Sequence, residues 1–111
     1  MDTPHEPWLA EASDAPAELF RALADPVRRQ LLERLVAGPA AAGELARRMA
    51  LPRVNVSHHL GVLAAAGLID QRQRRAAVRP QALTALRRYF DLALTTAAIN
   101  RPDPPRGLLR T

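Results

Sequence analysis

Arg53, Asn55 and His58 are the side chains whose types and spacing suit chemistry, and that chemistry is hydrogen bonding to base edges and phosphates. They lie in LPRVNVSHHLGVLAAAGLI, from Leu51 to Ile69, where Val56, Leu60, Leu63 and Gly67 recur at intervals of four, three and four. That recurrence gathers the apolar residues on one face of a helix. Asn55, His58 and Val62 fall on the opposite side, with Val54 and Gly61 beside them. A surface helix of this length ordinarily carries charged pairs on its free face. This one carries short polar groups, an arginine at its start and no carboxylate. Such a surface can approach base edges closely and is not repelled by phosphate; the competing reading is an amphipathic helix with a quiet outer face.

The elements that must hold this helix can be read on either side of it. Residues 1–13 read as a flexible acidic arm, with Trp8 and Leu9 as its sizeable apolar residues. A first helix is predicted from about Asp14 to Pro16 onward, with Leu19, Phe20 and Leu23 on one face. Asp25–Pro26 is an N-cap followed by proline at the first helical position, and it opens a second helix with Leu31, Leu32, Leu35 and Val36 inward. Gly38–Pro39 ends it. A short third helix near Gly43 to Ala50 carries Leu45, Ala46 and Met49. Leu51–Pro52 then breaks the chain, because a residue before proline disfavours helical geometry. Two helices joined by so short a break make a helix-turn-helix.

After Gly67 the pattern becomes extended. Leu68–Arg72 and Arg75–Arg79 read as two short strands with a very tight connection, the wing of a winged helix; a basic continuation of the helix is the competing reading. The turn lacks the Asn-Gly or Asp-Gly that tight hairpins prefer. From Pro80 the helical period returns, with Leu83, Leu86, Phe90, Ala93 or Leu94, and Ala97 on one stripe about four turns long. So regular a stripe suits pairing with a second copy of the chain. The expected organisation is therefore a mainly α domain with a small β-hairpin over residues 14–99, followed by a proline-rich, disordered tail over residues 100–111.

Composition narrows the classes of function. The 111 residues suit one domain, and a domain this small gains stability by dimerising. All 16 basic residues are arginine, and the formal charge is +5. Five acids precede Arg21 with no base among them, whereas Arg47 to Arg79 holds seven arginines against Asp70 alone. A basic stripe over the candidate helix is an electrostatic footprint for nucleic acid. Without cysteine there is no disulfide, thiolate metal site or thiol switch. The acidic, proline-punctuated start is no signal peptide and no apolar run is long enough to span a bilayer, so a cytoplasmic location is expected. Enzyme chemistry is disfavoured. Ser57 and His58 are adjacent and so point apart on a helix, and no glycine-rich phosphate loop or paired-carboxylate motif occurs.

LFRALADPVRRQLLERLVAGP, then ELARRMALP, then VSHHLGVLAAAGLI, resembles the ArsR/SmtB family of bacterial winged-helix repressors, over about Leu19 to Phe90. The resemblance implies a homodimer formed by the first and last helices, with Leu19, Phe20, Leu23, Leu83, Leu86, Phe90, Leu94 and Ala97 in the interface. It implies a double-stranded DNA operator that is an imperfect inverted repeat, its half-sites ~34 Å apart. Carried over by position, the DNA-reading residues are Arg53, Asn55, Ser57 and His58, and the wing's phosphate contacts are Arg72, Arg74 and Arg75. Asn55 could read adenine, Arg53 could read guanine or hold a phosphate, and Ser57 could hold a phosphate or cap locally. His59 lies nearer the core and suits a packed or locally hydrogen-bonded role.

The chain also departs from the family. Glu44 to Met49 has none of the cysteines of the thiolate sensors, Asp91 is followed by Leu92 and Ala93 where some relatives carry Asp-x-His, and no histidine follows His59. Donors for nickel or zinc would have to come from His5 with Asp2, Glu6 or Glu11, completed by the partner's Asp91, unless His5 is simply a solvated tail residue. Equally open is DNA binding modulated by a second protein that carries the sensor. The alternative function is a non-specific architectural DNA- or RNA-binding protein.

Overall fold

Asp25 starts the second helix as its sequence requires. Its carboxylate accepts hydrogen bonds from the Val27 and Arg28 backbone N–H groups at 2.7 and 3.3 Å, and Pro26 occupies the first helical position. The molecule is described by a computed structural model covering residues 14–101. Its elements are α1 (Asp14–Ala22), α2 (Pro26–Val36), α3 (Ala42–Met49), α4 (Arg53–Ala65), β1 (Ile69–Arg72), β2 (Arg75–Val78) and α5 (Pro80–Asn100). The expected arm over residues 1–13, its His5, and residues 102–111 of the expected tail lie outside the described residues.

One core joins every helix and the hairpin. Leu31, Leu45, Val56, Leu60, Leu63, Leu68 and Ile69 are its largest fully buried side chains. The predicted apolar face of α4 is therefore the face that is buried. Gly67 follows the helix at φ +88°, the left-handed geometry that glycine adopts without a Cβ penalty. Leu68 and Ile69 then turn the chain into β1.

Two core expectations need correction. Val36 is 62% exposed, because Leu31, Leu32 and Leu35 already fill the inward face of α2 and Val36 lies past its edge. Val62 is half-buried rather than outward: it packs against the core and shares a shallow cleft with Glu18, Arg21 and Ala22 of α1.

The strands pair antiparallel with Ile69 opposite Val78, Asp70 opposite Ala77, Gln71 opposite Ala76 and Arg72 opposite Arg75. Two residues, Gln73 and Arg74, make the turn, at φ +51° and +63°. Both therefore sit in the left-handed region without being glycine, at a cost of about 1 kcal/mol or more each. Long-range contacts hold the hairpin in place. Ala40 and Ala76 exchange backbone hydrogen bonds of 2.8 and 3.1 Å, and Arg75 Nη2 donates to the Pro39 carbonyl at 2.8 Å.

Candidate nucleic-acid interface

The break between α3 and α4 positions the candidate helix. Ala50 adopts φ +53° and closes α3 through its N–H to the Arg47 carbonyl at 3.3 Å, while Leu51 N–H reaches the Ala46 carbonyl at 3.0 Å. Pro52 has no N–H to leave unsatisfied, and its carbonyl receives the Asn55 and Val56 N–H groups at 3.1 and 3.2 Å. Val56, Leu60 and Leu63 then anchor α4 from behind.

This anchoring leaves Arg53, Asn55, Ser57 and His58 exposed on the outer side of the helix. No carboxylate lies on α4. Val54, noted in the sequence only as a neighbour, is 74% exposed among these polar groups. A branched apolar side chain on a base-facing surface suits the methyl group of thymine, and its exposure was the signal that the helical pattern alone left unread.

His59 turns toward the core side and is held there. Arg28 Nη1 lies 3.3 Å from His59 Nδ1. The same guanidinium donates to the Ala22 carbonyl through Nε at 2.6 Å and lies 3.8 Å from Asp25. One arginine thus ties the end of α1 and the start of α2 to the middle of α4. Desolvation pushes the Asp25 carboxyl up, but the Val27 and Arg28 N–H bonds and the charges of His59 and Arg28 outweigh it and hold the group below its ordinary value.

On the wing, Arg72, Arg74 and Arg75 are all exposed. Arg74 stands at the tip, whereas Arg75 spends one nitrogen of its fork on Pro39. Asp70, the one acid of the hairpin, lies 3.8 Å from Arg79 and away from the tip.

The residues expected to face a second copy divide into three groups. Leu19 is only 4% exposed, so it supports α1 from inside its own core and has almost no surface to offer a partner; that expectation is corrected. Phe20, Leu23, Leu83 and Leu86 are half-buried. Phe90, Leu94 and Ala97 are exposed, with Phe90 and Leu94 at 56% and 69%. Phe20 meets Tyr89 and Phe90 edge-to-face at centroid distances of 5.0 and 5.6 Å, which fixes α1 against α5.

Among the described residues no three histidine or carboxylate side chains come together, and Asp91 instead pairs with Arg87 at 3.4 Å. No helix of the described residues is long and apolar enough to cross a membrane.

Comparisons with known proteins agree with this geometry. A family model described as a helix-turn-helix domain matches residues 23–72. The HTH-type transcriptional regulator Rv2034 of Mycobacterium tuberculosis is 42% identical over 87 residues, which span 75% of this chain and 81% of that protein. A crystal structure of an ArsR family transcriptional regulator, RHA00566, superposes with a TM-score of 0.71 at 28% identity, covering 76% of this chain and 97% of its own. A solution structure from Mycobacterium bovis, described as a homodimeric winged helix-turn-helix DNA-binding domain, shares the fold at 22% identity and a TM-score of 0.61 over 92% of this chain and 94% of that one. With its hairpin, its helix-turn-helix and its relatives in accord, the chain belongs to the ArsR/SmtB-type winged helix-turn-helix transcriptional regulators.

Proposed function

We propose that this regulator acts as a homodimer on an inverted-repeat operator, each α4 entering a major groove and each wing reaching the neighbouring phosphates. The observation that carries the reading is the outer face of α4, where Arg53, Val54, Asn55, Ser57 and His58 stand exposed over a buried apolar face. Asn55 and His58 read base edges, Val54 packs on a thymine methyl, and Ser57 holds a phosphate. Arg72, Arg74 and Arg75 supply charge at the wing. Dimerisation is supported by the exposed Phe90, Leu94 and Ala97 on α5, continuous with the aromatic contact to Phe20. In this reading the sensing input belongs to a second protein, or to a nickel or zinc donor set built around His5 outside the described residues.

The test is selection of duplexes from a randomised pool, followed by titration of the selected and a scrambled duplex at the same salt. A regulator prefers the selected duplex by about 10³-fold or more. Equal binding to both makes the protein a non-specific architectural binder instead.

The wing makes a prediction with opposite signs. Replacing Arg74 by glycine relieves its left-handed strain and raises thermal stability by up to about 1 kcal/mol. The same change weakens binding to selected and scrambled duplexes alike and lowers the salt slope by about 0.9 per half-site. Melting curves and binding isotherms at three salt concentrations check it; undiminished binding would remove the wing from the interface.

A further inference from the structure

Arg47 lies outside the interface expected from sequence, yet its side chain and that of Arg53 both approach Gly43 across the helix-turn-helix break. A methyl group placed on Gly43 would lie 3.9 Å from Arg47 Nη1 and 4.0 Å from both Cζ and Nη1 of Arg53. The two guanidinium groups therefore share one small patch over the first turn of α3. Gly43 and Arg47 are one helical turn apart on the same face, and Arg53, the first residue of α4, folds back toward them.

No acid neutralises this pair among the described residues. Glu44, the one carboxylate of α3, accepts from the Ala41 N–H through Oε1 at 3.2 Å and from Arg48 Nη2 through Oε2 at 3.4 Å. Arg47 and Arg53 are both exposed. Like charges held side by side repel, and an anion seated between them removes that repulsion while accepting several charge-assisted hydrogen bonds. Their place at the junction of the two helices is where the first helix of such a motif crosses the DNA backbone.

We propose that Arg47 and Arg53 form a two-guanidinium clasp for a single DNA phosphate in each half-site. Arg53 is then a backbone-positioning residue and not a reader of guanine. The clasp adds affinity at the backbone beside the groove and leaves the reading of bases to Asn55 and Val54. This rests on α4 being the groove-entering helix.

Methylphosphonate scanning of a duplex selected by the wild-type protein tests it, since each substitution neutralises one phosphate. One linkage per half-site costs the wild type about 10-fold when neutralised and costs the R47A/R53A double variant nothing further. The double variant lowers the salt slope by about 0.9 per half-site, the amount for one phosphate and not two. Neither single variant changes the base preference at any position. Circular dichroism melts that match the wild type confirm folding, as expected for two exposed side chains. Two separate sensitive linkages, a slope lowered by twice that amount, or an R53A variant that relaxes preference at one base pair each overturn the clasp alone. A pool that yields no preferred duplex overturns the groove-entering helix and the clasp with it.

Discussion

A variant carrying Phe90→Asp and Leu94→Asp is expected to be monomeric and to bind the selected duplex at least about 10³-fold more weakly than the wild type. The size follows from two-fold symmetry. A dimer holding one half-site presents its second α4 to the other at an effective concentration in the millimolar range, and a monomer forfeits that gain completely. What remains is contact with one half-site, close to the non-specific affinities of roughly 10⁻⁴–10⁻⁶ M, against roughly 10⁻⁸–10⁻¹¹ M for specific complexes. In an isologous interface each substitution appears twice, so four carboxylates would have to be buried unpaired beside one another. Phe90 also touches Phe20 within its own chain, whereas Leu94 is the more exposed of the two. Leu94→Asp alone therefore separates lost assembly from lost folding. Sedimentation equilibrium and fluorescence anisotropy check the outcome. A monomer that keeps wild-type affinity, or a double variant that stays dimeric, would show that α5 does not join the two copies.

Local chemistry was legible in the sequence, and long-range packing was not. Asp25–Pro26 and Gly67 act through their own backbone geometry, so their roles as helix start and helix stop could be read from residue type. The Val56, Leu60 and Leu63 spacing likewise named the buried face of α4. Val62 shows where periodicity stops. Its angle on the wheel is outward, but α1 residues Glu18, Arg21 and Ala22 line the same cleft, and only the tertiary arrangement shows this. The spacing of the last helix predicts one continuous seam. The structure divides it into Leu83 and Leu86, packed on their own core, and Phe90 and Leu94 beyond the end of that core.

The two strands of the wing were legible, but the geometry of their turn and the clasp were hidden for a related reason. Gln73–Arg74 carries no turn signal, and its left-handed geometry persists in a hairpin held by Ala40 and Pro39, more than thirty residues earlier in the chain. Arg47 shares no obvious spacing with Arg53. They converge because Ala50 reverses the chain in the left-handed region, where a glycine would have announced the turn.

Asn55→Ala is expected to cost about 1–3 kcal/mol per half-site on the selected duplex and almost nothing on a scrambled one. Asn55 sits in the first turn of α4, exposed, directly beside Val56, which is wholly buried. Its backbone N–H is held by the Pro52 carbonyl at 3.1 Å, so the side chain projects from a fixed point. A carboxamide so placed can donate to one atom of an adenine and accept from another, which alanine cannot do. Being uncharged, it releases no counterion, and the salt slope stays unchanged in the variant. That separates Asn55 from Arg74 and from the Arg47–Arg53 clasp, whose loss lowers the slope on every sequence. Stability should move by less than about 0.5 kcal/mol, as for other exposed positions. Asn55→Asp should bind worse than Asn55→Ala, because a carboxylate adds repulsion from phosphate and favours the cytosine amino group over adenine. Binding isotherms on single-base-pair variants of the selected duplex locate the contact. Relaxed preference confined to one base pair in each half-site is the expected signature, and uniform weakening across all variants would assign Asn55 to the DNA backbone.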